Sequence, residues 1–149
     1  MEAAPASTEK RAKLIEKYIF HGRDTIDENL TSEELGAGKE NAEYLLSRIL
    51  YFGWWNTAVQ YCDDLVVNGF DDWYLPSSKE LAYMYGNLAR KELGGFRETF
   101  YWSSSGNDGR GGGQISYGGL KVNMKDGSTG KNAGDSVNEQ LYVRAARRF

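Results

Sequence analysis

Leu14, Ile15, Tyr18 and Ile19 fall at i, i+1, i+4 and i+5 with Lys and Glu between them, a spacing that predicts an amphipathic helix over residues 8–20. Ser7 or Thr8 can cap its start, and Gly22 stands where a helix stops. The polar stretch 22–41 predicts loop. Helical spacing resumes over 41–52, with Leu45, Leu46, Ile49 and Leu50 turned inward and Gly53 as the stop. Asn56 or Thr57 then caps a further helix carrying Ala58, Val59, Cys62, Leu65 and Val66, closed by Asn68 and Gly69. After a short extended segment, FDDWYLP, Ser77 and Glu80 stand three apart as in a capping box. The helix they open buries Leu81, Met84, Tyr85 and Leu88 and ends at Gly94-Gly95.

Beyond this point the period falls to two. FYWSSS is β-prone, and Leu120, Val122 and Met124 alternate with Lys121, Asn123 and Lys125. Asp126-Gly127 is a hairpin-turn signal. In LYVRAARRF, Leu141, Val143, Ala145 and Phe149 share one face, with Arg147 the polar interruption. Helices first and strands later predict an α+β chain, its helices packed on a small antiparallel sheet, with a long irregular region toward the C-terminus. At 149 residues we expect one domain, 1–149, with residues 1–34 an N-terminal helix and polar loop and residues 35–149 the main body.

Composition changes this picture in one place. Ten of the eighteen glycines lie between 106 and 140, in and after GNDGRGGGQISYGGLK. Glycine permits tight turns and positive φ, and Asn, Asp and Ser satisfy local backbone groups. Such a segment is either a plain surface loop or a ligand-binding surface held by flanking strands. Tyr, Ser, Gly and Asn are also the chemistry of adaptable binding loops.

Charge and candidate chemistry narrow the function classes. Residues 1–101 hold 11 Lys/Arg against 17 Asp/Glu, and residues 102–149 hold 7 against 4. That polarity is too mild for a nucleic-acid-binding surface. No apolar run approaches the roughly 20 residues of a membrane span. The first residues lack the apolar centre of a secretory signal. A single cysteine, Cys62, and a single histidine, His21, leave no Cys/His metal cluster and no internal disulfide. Cys62 reads as a small buried apolar residue. Ser103, Ser104 and Ser105 lack a neighbouring base and read as hydroxyls bonded to backbone rather than nucleophiles. GAGKEN lacks the Walker spacing, so it reads as a helix start. The pairs Asp63-Asp64 and Asp71-Asp72, with Asp108, Asp126 and Asp135, raise calcium but show no EF-hand spacing, so no metal or cofactor is expected. Trp73 and Trp102 read as core, whereas Trp54-Trp55 leaves one ring partly exposed. Arg144, Arg147 and Arg148, with Lys121, Lys125 and Lys131, either attract an anionic ligand or pair with the acidic first part of the chain.

Four pieces in order, LGAGKENAEYLL, AVQYCDDLVVNGFDDWYLPSSKELAYMY, LGGFRETFYWSSS and YVRAARRF, resemble the C-terminal domain family of the collagen-like adhesins, over roughly residues 35–149. The resemblance implies a C-type-lectin-like fold. It implies that the helices and the sheet ends form a scaffold, with an exposed recognition surface between YWSSS and YVRAARRF. The family typically has a Trp and a Phe on the strand before the DG-type turn, where this chain has Leu120 and Met124. Some relatives are variable proteins of diversity-generating retroelements, bacterial or phage-borne. In those, adenine-rich codons are rewritten to yield Asn, Asp, Ser, Gly, Tyr, Arg, Thr or Ala but not Lys, Met, Gln, Glu or Trp.

On that resemblance, Asn107, Asp108, Arg110, Tyr117, Asn132, Asp135 and Ser136 are the expected variable positions, with Gln114, Lys121, Met124 and Lys125 fixed. Ser116, Asn123 and Ser128 complete the expected ligand-binding set. The implied function is non-catalytic binding of a protein or glycan, at a cell surface or outside the cell, with specificity set between 106 and 137. The alternatives are a fixed adhesin face for anionic glycans, an enzyme of small substrates using clustered carboxylates, and a structural domain assembled through its N-terminal helix.

Overall fold

The computed structural model of the chain describes residues 1–15, 31–108, 117–133 and 137–148; for residues 107, 108, 117, 118 and 133 it describes the backbone alone. The elements run β1 (Glu2–Ala3), a 3-10 turn (Ala6–Thr8), β2 (Lys10–Ala12), α1 (Gly38–Phe52), α2 (Ala58–Asp63), α3 (Ser78–Asn87) and a second 3-10 turn (Ala89–Lys91). They continue with β3 (Phe100–Asp108), β4 (Tyr117–Asn123), β5 (Thr129–Ala133), β6 (Leu141–Val143) and β7 (Ala146–Arg147). The chain is α+β. One sheet has the order β2-β6-β3-β4-β5, and a second pairs β1 with β7.

The first element differs from the sequence expectation. Where spacing predicted a helix over 8–20, Lys10–Ala12 pairs antiparallel with Leu141–Val143, and Glu2–Ala3 pairs with Ala146–Arg147. Leu14 and Ile15 are both buried, and their N–H groups donate to the Val137 carbonyl at 3.1 and 3.4 Å. Strand partners at the far end of the chain override local helical spacing, because a pairing edge satisfies the backbone and buries both neighbouring side chains. The remainder of that expected helix, 16–20, lies outside the described residues.

The helices keep their caps but not all of their faces. Thr57 and Gln60 form a capping box, as do Ser77 and Glu80. Gly53 closes α1 in the left-handed conformation at φ 69°. Leu45 and Ile49 are buried, whereas Leu50 is exposed, so α1 buries a narrower stripe than its pattern predicts. α2 stops at Asp63, short of the expected Val66, which is exposed. α3 stops at Asn87, ahead of Gly94 and Gly95, which both have positive φ.

The sheet has one parallel contact, Tyr101 with Tyr142, where an all-antiparallel sheet was expected. β6 lies between β2 and β3, antiparallel to the first and parallel to the second. The expected alternation of the last strand also fails. β6 ends at Val143, Arg144 is buried, and β7 starts at Ala146 on the other sheet. Both helices α1 and α3 pack on β3. The core they share includes Trp73, Leu75, Leu81, Tyr101, Trp102 and Val122. Trp102 is fully buried, and its Nε1–H is shared between the Ala12 and Glu139 carbonyls at 3.0 and 3.1 Å. Both expected core tryptophans are therefore core.

Candidate functional site

The segment singled out by composition is mounted on β3 and β4. Their register is Trp102 with Lys121, then Gly106 with Gly119, so β3 spends four steps where β4 spends two. Ser103, Ser104 and Ser105 occupy this bulge, and all three are fully buried. A bulge leaves ladder groups unpaired and re-aims the strand beyond it. Here hydroxyls take over. Ser103 Oγ donates to the Leu120 carbonyl at 2.7 Å, Ser105 Oγ donates to the Ser32 carbonyl at 2.9 Å, and Ser78 N–H donates to Ser105 Oγ at 2.9 Å. Ser104 N–H donates to the Pro76 carbonyl at 2.8 Å. The serines thus tie the strand to the start of α3 and to the segment ahead of α1. Gly106 N–H donates to Thr31 Oγ1 at 3.0 Å, extending the anchorage one residue further.

Beyond the bulge the ladder continues, Asn107 opposite Gly118 and Asp108 opposite Tyr117. Gly119 is needed at the crossing, since a Cβ there would lie 2.4 Å from Leu14 and 3.2 Å from the Trp102 ring. The strand ends therefore bring Asn107, Asp108 and Tyr117 to one end of the β3–β4 ladder. Arg110, Gln114, Ser116, Asp135 and Ser136 lie outside the described residues.

The three candidates whose side chains are described do something other than project. Asn132 is buried rather than exposed, and its Nδ2 donates to Glu139 at 2.9 Å. Asn123 Oδ1 accepts from the Lys125 N–H at 3.0 Å, inside the β4–β5 turn. Ser128 is exposed, yet its N–H and hydroxyl both donate to Asp126 Oδ1, at 2.9 and 2.6 Å. Those bonds, the hydroxyl's first, hold the Asp126 carboxyl below its ordinary range. Gly127 completes the turn at φ 78°. Asn and Ser suit a binding surface, but the same side chains close Asx-type turns. That competing use decides their role here.

The basic C-terminal arm pairs with carboxylates. Arg144 donates to Glu9, Arg147 to Asp72 and Glu2, and Arg148 to Glu40. The hydrogen bond from Arg148 is the main reason the Glu40 carboxyl sits below its ordinary value, and Arg147 does the same for Asp72. On the helical side, Lys39, Glu43, Asp63, Asp71 and Asp72 rim a cleft of about 220 Å³. Burial, then the charges of Asp64 and Glu43, push the Asp63 carboxyl up. Among the described residues no group of three or more His, Cys, Asp and Glu side chains is placed to hold a metal ion. Cys62 is buried, and burial pushes its thiol far above the ordinary range. No described helix is long and apolar enough to cross a membrane.

Sequence reasoning missed the buried carboxylate of Glu80, which was expected only as a cap. Its Oε2 accepts from Ser77 N–H at 2.8 Å, and its Oε1 accepts from Gly36 N–H at 3.1 Å and from the Tyr74 hydroxyl at 3.3 Å. The capping motif was the signal, but nothing local marks the two distant donors. The chain matches no protein-family model, no curated protein and no solved structure.

Proposed function

We propose that the chain is a non-catalytic binding module of C-type-lectin type, recognising a protein or glycan through a face between residues 106 and 137. The observation that carries this reading is the serine bulge. It spends three buried hydroxyls on fixing the place from which Asn107, Asp108 and Tyr117 depart. A rigid mount under a glycine-rich, Asn/Asp/Tyr-bearing segment is what a scaffolded recognition loop requires. Asn123, Ser128 and Asn132 belong to the mount. Recognition is assigned to Asn107, Asp108, Arg110, Ser116, Tyr117, Asp135 and Ser136. Diversification of these positions, Ser116 apart, is part of the proposal. The anionic-glycan reading loses the three C-terminal arginines, which are engaged with carboxylates, and would draw on Lys125 of the β4–β5 turn.

The test replaces Asn107, Asp108, Arg110, Ser116 and Tyr117 together by alanine in the full chain. Both proteins are applied to a glycan array and to intact bacterial cells. The parent should bind saturably, and the replaced chain should lose binding with its urea midpoint unchanged. Retained binding, or a parent that binds no surface, refutes the reading. Sibling sequences from one strain should differ mainly within 106–137, and evenly spread differences refute diversification.

A further inference from the structure

The link between α1 and α2 is fixed at both ends. Gly53 N–H donates back to the Leu50 carbonyl at 3.2 Å, and Trp54 N–H to that of Ile49 at 3.1 Å. On the far side, Gln60 Nε2 donates to the Trp54 carbonyl at 3.0 Å, while Ala58 N–H reaches across to the Lys13 carbonyl at 2.7 Å. Between these anchors Asn56 sits at φ 57°. That region is unfavourable for most non-glycine residues, and asparagine is among those that tolerate it best. The outcome is a division of labour between two adjacent indoles. Trp54 is half-buried and stacks on Phe52 at 4.7 Å, while Trp55 is held 72% exposed. Among the described residues the Trp55 indole has neither a hydrogen-bond acceptor nor a stacking ring. An isolated exposed apolar residue needs no explanation. An exposed indole whose backbone is anchored on both sides does, because the anchors fix the point and direction from which the side chain leaves the chain.

Trp55 forms one wall of a cleft of about 210 Å³ whose other sides include Lys10, Asn56, Tyr61 and Asp64. Lys10 Nζ lies 5.1 Å from the Tyr61 ring centroid, and the Tyr61 hydroxyl is tied to the Thr8 carbonyl. The Asn56 and Asp64 side chains make no hydrogen bond to described residues. We propose that this cleft binds a single neutral pyranose ring stacked on Trp55. One face of a pyranose is a patch of C–H bonds that matches a flat aromatic ring, and its rim is hydroxyls, each both donor and acceptor. Asn56 offers two donors and an acceptor, Asp64 accepts, and Lys10 donates, so the polar groups complement that rim. One cation and one anion at the rim leave no preference for a charged ligand. The volume is below the roughly 300 Å³ at which pockets for drug-sized ligands begin, which limits the occupant to one ring. None of these residues lies within 106–137, so the inference stands or falls apart from the recognition face.

The test is a titration of the isotopically labelled full chain with methyl α-glucopyranoside, methyl α-mannopyranoside and methyl α-galactopyranoside, followed by NMR. At least one glycoside should shift the Trp55 indole N–H and the Asn56 amide saturably, with Kd of order millimolar. Trp55→Ala should weaken binding about tenfold or more, Trp55→Phe should retain part of it, and Asp64→Asn should weaken it. Tyr83→Ala, which removes an exposed ring elsewhere, should change nothing. No saturable shift with any of the three glycosides overturns the proposal. So does binding that survives Trp55→Ala, or a methyl glucuronide that binds as tightly as its neutral counterpart.

Discussion

Arg144 and Glu9 stand 135 residues apart in the chain, and the guanidinium of one donates Nε–H to the carboxylate of the other at 3.1 Å. A second N–H of Arg144 reaches the same oxygen. The remaining donors go to the carbonyls of Ala4, Gly94 and Gly95 at 3.2, 2.7 and 3.2 Å, and Phe96 lies under the guanidinium at 4.2 Å. Both side chains are almost wholly buried. This pair holds the N-terminal segment, the loop after α3 and the link between β6 and β7 at one point. Glu9→Gln leaves the buried Arg144 charge uncompensated and should cost about 3–5 kcal/mol in urea unfolding, whereas Arg144→Met should cost less, because Glu9 keeps the Arg97 guanidinium at 3.1 Å. The double variant should cost less than the two added together. Changes within about 0.5 kcal/mol for either single variant would show the pair to be dispensable.

Two glycines predict opposite signs. A Cβ on Gly38 would lie 2.0 Å from Glu80 Oε2 and 2.8 Å from the Ser77 backbone nitrogen. Glu80 cannot retreat without losing its bonds to Ser77 and Gly36, so Gly38→Ala should destabilise by about 1–3 kcal/mol. Gly86 lies within α3 with nothing inside 4 Å of its missing Cβ. Gly86→Ala should stabilise by about 0.5–1 kcal/mol through helix propensity. Thermal or urea melts of the two variants check both signs, and a shift in the same direction for both would contradict the geometry.

How far the sequence reveals this fold depends on whether a signal is local. The capping boxes at Thr57 and Ser77, the Gly53 stop and the Asp126-Gly127 turn are fixed by neighbours within four residues, and each forms where the pattern places it. The backbone role of the three serines was legible too, because no base stands near them in sequence. The N-terminal strands were not legible, since their partners lie at the opposite chain end and Leu14-Ile15 spacing suits a helix equally well. Of the two expectations for Arg144, pairing with the acidic first part of the chain is the one observed, but its burial was not legible, since only the convergence of Glu9 with three carbonyls makes that tolerable. The candidate site divides the same way. Composition located the segment, but it could not separate residues that close turns, Asn123 and Ser128, from those free to meet a ligand.

The serine bulge predicts a coupling between stability and the mount. Ser105→Ala removes the acceptor of the buried Ser78 N–H and the donor to the part-buried Ser32 carbonyl. Leaving such groups unsatisfied should cost about 1–3 kcal/mol. Amide exchange should speed up at Ser78 and Gly106, on the two sides of the lost hydroxyl, while Val122 on the far side of the bulge keeps its protection. Uniform acceleration across the sheet would mean that the bulge is no separate anchor.

The last prediction concerns acid. Arg148 holds Glu40 below its ordinary carboxylate value of 4.5, and Arg147 holds Asp72 below 3.8. A carboxyl depressed in the folded state adds stability at pH above its unfolded value, and that contribution is lost as pH falls through the folded value. The pairs therefore act at neutral pH and fail only in strong acid, below both ordinary values. Because the Glu40 and Asp72 carboxylates are substantially solvent-accessible, salt should weaken the effect. The arm they hold is β7, whose Ala146 exchanges backbone bonds with Tyr74 at 2.8 and 2.9 Å. Carbon-detected titration should find Glu40 and Asp72 titrating below their ordinary values. Arg147→Gln should return Asp72 upward and leave Glu40 where it was, and Arg148→Gln should do the reverse. Should both carboxyls move together in either variant, the arm is held by one coupled cluster rather than by two separate clasps.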